Sequence, residues 1–464
     1  MYKLNSHIVR TVMNIIIVGC GKVGQTLAEQ LNEEGNNITV IDVDAKNLRT
    51  VAAQSDVMGV VGNGATFATQ KEAGIERADL LIAVTNSDEL NLLCCMVAKK
   101  TGNCQTIARI RDPEYSNDAD FLKNEFGLAM VINPEYAAAA EIAKVLRFPS
   151  AIKIDTFAKG RVELLKFKIP ENSPLVNLSV REITTVLGCD VLICTVERNN
   201  EVYIAKGDFT FEEKDIISLI ATHKNAAEFF KKINHKLHSV KDVMIVGGGK
   251  ITQYLCEMLL ERSGISVKVI EEDAKLCENL CIQMPELTVI NGDPVERDIL
   301  LEEGIANTSA FVAITEQDEE NILLSLFAKN VGKGKLVTKI ARTDFDEVVK
   351  PLELDSVIVP KNITADMILQ YVRSKKSSIG SNVETLYNII KGKVEAAEFA
   401  IKEDSEITRK PLMTLKFKEN VLVASILRNK KVIIPRGHDM ILPGDNVIIV
   451  SKHLALHDVT DILK

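Results

Sequence analysis

One pattern is written twice along this chain, and any fold proposed for it must accommodate both copies. Asn14-Ile-Ile-Ile-Val-Gly-Cys-Gly-Lys-Val-Gly24 returns as Asp242-Val-Met-Ile-Val-Gly-Gly-Gly-Lys-Ile-Thr252, which places Gly247 at an offset of 228 from Gly19. The copying continues at an offset of 230, where Gly74-Ile75 becomes Gly304-Ile305, Thr85 becomes Thr315, Asp88 becomes Asp318, Asn91 becomes Asn321 and Tyr115 becomes Phe345. Further on, Arg198-Asn199 returns as Arg428-Asn429, Gly207 as Gly437 and Asp215 as Asp445. A repeat of half the chain is too long for a solenoid unit. It reads as a tandem duplication of a two-part module, so the 464 residues hold four domains.

Composition narrows the class. With 46% hydrophobic and 26% charged residues the chain has the balance of a soluble globular protein. A net charge of −8 argues against nucleic acid as the main partner. No stretch approaches the ~18 uninterrupted apolar residues of a membrane span, and Met1-Tyr-Lys-Leu-Asn-Ser-His7 lacks the apolar core of a signal peptide. Action at a membrane would therefore require docking onto another protein. The nine cysteines fall mostly in apolar periodic segments, such as Cys94-Cys95 and Cys277, and read as small buried hydrophobes in a reducing compartment. The module begins at Met13. Residues 1–12 read as an extension, either a mis-assigned start or a disordered tail.

Within the first copy, apolar runs at Ile15–Val18, Ile38–Ile41, Val57–Val61, Leu80–Val84 and Thr106–Ile110 alternate with helical patterns such as Val23, Leu27 and Leu31. This alternation predicts an α/β fold, a doubly wound parallel sheet covered on both faces by helices. Asn133-Pro134 then starts a helix through Ala137–Leu146, with Asn as N-cap and Pro in the first position. Its counterpart begins at Pro360 and runs through Ile363–Val372. A terminal helix with an apolar face often packs outside its own domain. The texture then changes to short strands at Val162–Ile169, Val191–Val196, Val202–Ile204 and Asp215–Ile220, punctuated by turn residues. Counterparts lie at Val394–Ile401, Val421–Leu427, Val432–Ile434 and Asn446–Val450. Each set predicts a small α+β domain of about 80 residues without a constellation of catalytic type. The expected boundaries are a sheet domain at 13–135, a linker helix at 136–150 and a small domain at 151–234, then 240–359, 360–380 and 381–464 for the second module.

The chemistry concentrates in the first sheet domain. Gly19-x-Gly21-x-x-Gly24 follows a strand and opens a helix, the context in which this spacing means dinucleotide binding. The first glycine permits the tight turn, the second lets a diphosphate approach the backbone, and the third lets helix and strand pack closely. Cys20, Lys22 and Val23 complete the loop, whose N–H groups and helix dipole favour phosphate. Asp42 ends the second strand 18 residues after Gly24, where its carboxylate can accept from ribose hydroxyls and repel a 2′-phosphate. NAD, or another adenosine without a 2′-phosphate, is therefore favoured over NADP. Gly62-Asn63-Gly64 and Thr85-Asn86-Ser87-Asp88 follow the third and fourth strands, at carboxyl ends where such sheets bind ligands. Thr85 and Asp88 read equally as a helix capping box. Arg109 reads either as a phosphate partner or as a solvated edge-strand arginine.

The second copy departs from this pattern. Gly247, Gly248, Gly249, Lys250 and Ile251 keep the loop, but Thr252 replaces the third glycine, Glu271 replaces Asp42, Pro294 replaces Gly64 and Lys339 stands where Arg109 stands. Threonine at the third position crowds helix against strand without closing the phosphate end. The expectation is a second pocket that binds differently or not at all. His235-x-x-His238 and His453-x-x-x-His457 have metal-like spacing without further ligands nearby, so no metal site is assigned. Cys277 and Cys281, at helical spacing, read as one buried face. Lys375-Lys376 with Arg373 reads as a solvated linker.

These residues together resemble a known family. The order of a Rossmann-like domain and a small β-rich domain, twice, with Ile-Val-Gly-Cys-Gly-Lys-Val-Gly, Ile-Asp-Val-Asp, Thr-Asn-Ser-Asp-Glu-Leu-Asn and Ile-Ala-Arg-Ile-Arg-Asp-Pro-Glu-Tyr, is similar to the TrkA family. Its members are regulatory subunits of Trk potassium uptake systems, built from two RCK units, each a KTN domain plus a TrkA-C domain. The resemblance runs from Met13 to the C-terminus. It implies a cytosolic ring, a homotetramer or, in isolation, a dimer, peripheral on the inner face of the membrane and attached to a Trk-type potassium-translocating membrane subunit. NAD(H), or the adenine nucleotides ATP and ADP, would control the flux. By that match Gly19 to Val23, Asp42, Asn63, Thr85, Asn86 and Arg109 line the first nucleotide site, and Gly247 to Ile251 with Glu271 the second. Members of the wider family bind cyclic di-AMP in the small domain; nothing in this sequence identifies such a site.

Two other readings use the same fold. An NAD-dependent dehydrogenase needs an acid or base at the nicotinamide, and His223, His438, His453 and His457 in the small domains sit in no recognisable motif. A nucleotide fold alone does not imply chemistry. A soluble nucleotide sensor of another cation channel or antiporter is the remaining alternative.

Overall fold

The computed structural model describes residues 12–116, 118–157, 161–199, 201–233, 240–261, 264–342, 346–378, 383–390, 393–452, 456 and 458–464. The first sheet holds six strands, β1 (Asn14–Val18), β2 (Asn37–Asp42), β3 (Met58–Val61), β4 (Leu80–Ala83), β5 (Gln105–Arg109) and β6 (Met130–Ile132), in the order β3-β2-β1-β4-β5-β6. Every pairing is parallel. Ile15, Ile16, Ile17 and Val18 are all buried, as a central strand covered on both faces requires. Helix α1 (Lys22–Glu33) buries Gly24, Leu27, Ala28 and Leu31, a single face at helical spacing. Helices α2 (Ala45–Gln54), α3 (Phe67–Glu72) and α4 (Asp88–Thr101) follow β2, β3 and β4. The strand order reverses between β1 and β4, and this is where doubly wound sheets open a crevice at their carboxyl ends.

The helix Pro134–Arg147 leaves this sheet. Asn133 caps it as expected, its Oδ1 accepting the Tyr136 N–H at 2.8 Å. The first small domain is an antiparallel sheet of β7 (Lys153–Phe157), β8 (Val162–Lys168), β9 (Leu192–Arg198), β10 (Glu201–Ile204) and β11 (Ile216–Ala221), in the order β10-β9-β11-β8-β7. The helix His223–Lys232 lays Phe229 and Phe230 on Phe167, with ring centroids 5.8 and 5.0 Å apart.

The second sheet repeats the first: β12 (Asp242–Val246), β13 (Ser266–Glu271), β14 (Thr288–Asn291), β15 (Ala310–Ala313), β16 (Lys335–Lys339) and β17 (Ser356–Ile358), in the order β14-β13-β12-β15-β16-β17 and all parallel. The helix Pro360–Ser378 follows this sheet. The second small sheet contains β18 (Val383–Ile390), β19 (Val394–Ala400), β20 (Val421–Arg428), β21 (Lys431–Ile433) and β22 (Asn446–Lys452), in the order β18-β19-β22-β20-β21 and all antiparallel. Asn429 and Lys430 join β20 to β21 with φ of 49° and 66°, the left-handed pair of a tight two-residue hairpin.

The chain packs as two compact units. One holds the first sheet domain to Ala139 with Ile340–Thr343 and Val359–Leu369, so the start of the helix after the second sheet belongs with the first sheet domain. The other holds the first small domain, the second sheet domain and the second small domain. Within this second unit the two small sheets share one apolar core, in which Phe157, Leu164 and Ile220 pack with Ala396, Ala424 and Val450. Lys335 Nζ donates to the Ala151 carbonyl at 2.9 Å and Ser356 Oγ to the Ile152 carbonyl at 3.0 Å, tying the second sheet domain to the first small domain.

The cysteine reading needs correction. Eight of the nine cysteines are buried, but Cys281 is exposed; on the helix Ala274–Gln283 the buried positions are Cys277 and Leu280, and Cys281 lies a step around the axis from them. The two histidine pairs, His235 with His238 and His453 with His457, lie outside the described residues. Among the described residues no helix is long and apolar enough to cross a membrane, and no group of three His, Cys, Asp or Glu could hold a metal ion.

Candidate dinucleotide site

The first glycine loop sits at the reversal between β1 and β4. Gly19 has φ of +101°, a conformation that side chains rarely adopt, and a Cβ there would come 2.9 Å from Thr85 N. Gly24 is closed by packing: a Cβ would come 1.9 Å from the Gly19 carbonyl oxygen. Over Gly21 an added Cβ would meet no atom within 4 Å, so the space a diphosphate needs is open. Gly21 is the N-cap of α1 and uses no side chain to cap it, leaving the N–H groups of the first turn for an anion. The loop and strand ends therefore fit the phosphates and ribose of an adenine nucleotide.

Asp42, at the end of β2, takes the Cys20 N–H on Oδ2 and the Asp44 N–H on Oδ1 at 2.8 Å. The carboxylate thus fixes the glycine loop while remaining half-exposed at its mouth. Cys20 contributes only backbone: its side chain is buried with Sγ 3.5 Å from the Asn47 carbonyl. Burial first, and then Asp42, push its thiol up to about 11, so it is no nucleophile at neutral pH. Gln25 Nε2 donates to the Cys20 carbonyl at 3.0 Å and holds the loop from behind.

At the end of β4 the capping-box reading fails. Ser87 is the N-cap of α4, its Oγ accepting the Leu90 N–H at 3.1 Å. Asp88 instead accepts the Arg111 and Asp112 N–H groups at 2.8 and 2.9 Å. Thr85 turns its hydroxyl to Asn91 Oδ1 at 2.7 Å, while Asn86 is exposed. Arg109 is not on an edge strand, because β6 covers β5, and it is buried rather than solvated. Its Nη2 donates to the Thr85 carbonyl and to Asn86 Oδ1. Burial, reinforced by Arg111, lowers its pKa, and among the described residues Nε has no partner. Arg109 is thus a desolvated cation braced on the Thr85–Asn86 turn. Arg111 Nη2 also holds this turn, through the Asn86 carbonyl at 2.7 Å.

Sequence reasoning missed Gln25, Gln70, Asn91 and Arg111. Of these, Gln25 carried a signal in its return as Gln253 and Asn91 in its return as Asn321. The reason for its copying is visible: Asn91 accepts the Thr85 N–H at 2.8 Å and donates to the Arg109 carbonyl at 2.9 Å, while Asn321 accepts the Thr315 N–H at 2.8 Å and donates to the Lys339 carbonyl at 3.1 Å.

In the second copy Glu271 takes the Gly248 N–H on Oε2 and the Asp273 N–H on Oε1, the same bracing as Asp42. Thr252 does not merely crowd its helix, because its Oγ1 donates to the Gly247 carbonyl and turns a clash into a hydrogen bond. Gly247 and Gly248 are buried, Gly249 and Lys250 exposed, and Ile251 buried. Lys339 Nζ donates to the Thr315 carbonyl at 2.8 Å, as Arg109 does to Thr85. The mouth is more acidic than the first: burial, then the carboxylates of Glu272 and Asp293, raise the pKa of Glu320.

Comparison with known proteins matches this duplicated architecture segment by segment. The TrkA-N domain model matches residues 15–134 and 243–360, and the TrkA-C domain model matches residues 164–234 and 396–464. The chain is 30% identical over 459 residues to the Trk system potassium uptake protein TrkA homolog 1 of Methanosarcina mazei, covering 97% of this chain and all of that one. The chain belongs to the TrkA family. Another TrkA relative, the Trk system potassium uptake protein TrkA of Halomonas elongata, is 31% identical over 446 residues, covering 94% of this chain and 95% of that protein. Among solved structures the TrkA fold seen here is similar to the GsuK RCK domain, at a TM-score of 0.63 and 16% identity, covering 96% of this chain and 93% of that one. It is also similar to the GsuK channel bound to NAD, at a TM-score of 0.63 and 15% identity over 96% of this chain and 77% of that one.

Proposed function

We infer that this chain is the nucleotide-binding regulatory subunit of a Trk-type potassium uptake system, working on the inner face of the cell membrane against a potassium-translocating membrane subunit. In this reading it assembles as a homotetrameric ring and catalyses no reaction. NAD(H), with ATP and ADP as competitors, occupies the first pocket, built from Gly19 to Val23, Asp42, Asn63, Thr85, Asn86 and Arg109. The loop Gly247 to Ile251 with Glu271 forms the corresponding pocket of the second copy.

The observation that carries this reading is the open space over Gly21 at the N-terminus of α1, beside the Asp42 carboxylate. Diphosphate would rest on the first-turn N–H groups and ribose hydroxyls on Asp42. A ligand biases gating only by the difference in its affinity for two states of the ring. The reading is supported further by kinship with Trk system proteins.

The test is potassium flux into vesicles carrying the membrane subunit, with and without this chain. Flux that depends on the chain and shifts with NADH, NAD, ATP or ADP is the expected result. Flux indifferent to all four nucleotides rejects the reading.

A further inference from the structure

The loop after β3 differs between the two copies in a way the glycine motif does not. Gln70, fully buried in α3, donates from Nε2 to the Gly64 carbonyl at 2.7 Å and to the Cys94 carbonyl of α4 at 2.9 Å. Among the described residues its Oε1 is buried without a partner. Gly64 lies against the end of β1, since a Cβ there would come 2.2 Å from Val18 Cγ1. Gln70 therefore holds the Gly62–Gly64 backbone down onto the strand that carries Gly19. Within this loop Asn63 is exposed, and its Oδ1 is occupied by the Ala65 N–H at 2.9 Å. What Asn63 has to offer a ligand is the pair of N–H donors on its amide.

The second copy reads Asp293, Pro294 and Leu300 at these positions. Leu300 packs in the apolar core with Met244, Val246, Ile270 and Phe311. Asp293 keeps the same turn, its Oδ1 accepting the Val295 N–H at 2.8 Å. Its remaining oxygen is a charged acceptor, and it acts with Glu272 and Glu271 on Glu320. A donor in the first copy has become an anion in the second. A half-satisfied buried amide is costly compared with leucine, and Leu300 shows that leucine fits this helix. Packing alone does not account for a glutamine at position 70.

We propose that Gln70 is a positioning residue of the first site, setting the Gly62–Gly64 loop so that Asn63 donates to an anionic adenine nucleotide, and that Asp293 with Leu300 makes the second copy select against that ligand. The proposal rests on the reading of the first loop as a nucleotide site, and it makes the binding capacity one anionic nucleotide per chain.

The experiment is calorimetric titration of the full chain with NADH, NAD, ATP and ADP, for wild type, Gln70→Leu and Asn63→Asp, alongside the melting temperature of each without ligand. The expected result is one equivalent per wild-type chain and a loss of roughly tenfold or more in affinity for both variants. A purely structural glutamine would move the melting temperature and leave affinity alone. If Gln70→Leu melts far below wild type, the exposed Asn63→Asp decides. Wild-type affinity in both variants, or two equal equivalents per wild-type chain, overturns the proposal. No binding by the wild-type chain overturns the nucleotide reading and the proposal with it.

Discussion

Asp42 and Cys20 are joined across the mouth of the first site: the carboxylate of Asp42 accepts the Cys20 backbone N–H and, through its other oxygen, the Asp44 N–H. The acid that would recognise ribose also shapes the loop that would bind phosphate. Asp42→Asn replaces one acceptor by a donor that faces an N–H. The expected outcome is a stability loss of about 1–2 kcal/mol by chemical denaturation and a fall in nucleotide affinity of about tenfold or more. Unchanged stability would mean that the loop keeps its shape without the carboxylate.

Asn91 binds two strand ends together from inside the fold. Asn91→Leu leaves the Thr85 N–H and the Arg109 carbonyl without that partner, at a cost of roughly 3 kcal/mol by denaturant midpoint. Asn321→Leu should cost a similar amount, because its bonds to Thr315 and Lys339 are the same.

Lys335 is a buried cation between the second sheet domain and the first small domain, with the Ala151 carbonyl as its acceptor. Burial lowers its pKa from 10.5 to about 8, against the opposing effect of Asp355. The unfolded chain thus holds more protons than the folded one between those values, so stability rises with pH across that window. Below about pH 8 the penalty is fully present, and the lowering corresponds to roughly 3 kcal/mol. Lys335→Met should therefore melt higher than wild type at pH 7, with the advantage shrinking as pH approaches 10.5. Melting curves at several pH values check this; an advantage that grows with pH would contradict it.

Arg198 grips Asp215 with Nε and Nη2, both at 2.7 Å, and Arg428 grips Asp445 in the same way at 2.8 Å. Both aspartates are buried. Removing one arginine strands a buried carboxylate, so Arg198→Met should cost roughly 3–5 kcal/mol. The double variant Arg198→Met with Asp215→Leu should recover most of that loss in the same denaturation assay.

The sheets were legible because central parallel strands are buried on both faces, and Ile15–Val18 and Leu80–Ala83 read as unbroken apolar runs. β7 was missed because Lys153-Ile-Asp-Thr-Phe157 is an edge strand, paired on one side only and carrying two charges. The edge-strand alternative for Arg109 fails because β6, only three residues long, hides β5 from solvent. The glycine loop and Asp42 were readable from spacing, since backbone geometry dictates those residues. Gln70 and Asn91 were not readable as site residues, because their partners are backbone carbonyls and N–H groups of other elements, which no spacing rule encodes.

The most direct test of the central claim is calorimetric titration of the purified chain with NADH, NAD, ATP and ADP, beside Asp42→Ala. Saturable binding to the wild type that Asp42→Ala loses is the predicted result, and it would rank the ligands. Binding that survives Asp42→Ala undiminished would contradict the role given to Asp42, and no binding to either protein would contradict the account and leave the glycine loop a structural turn.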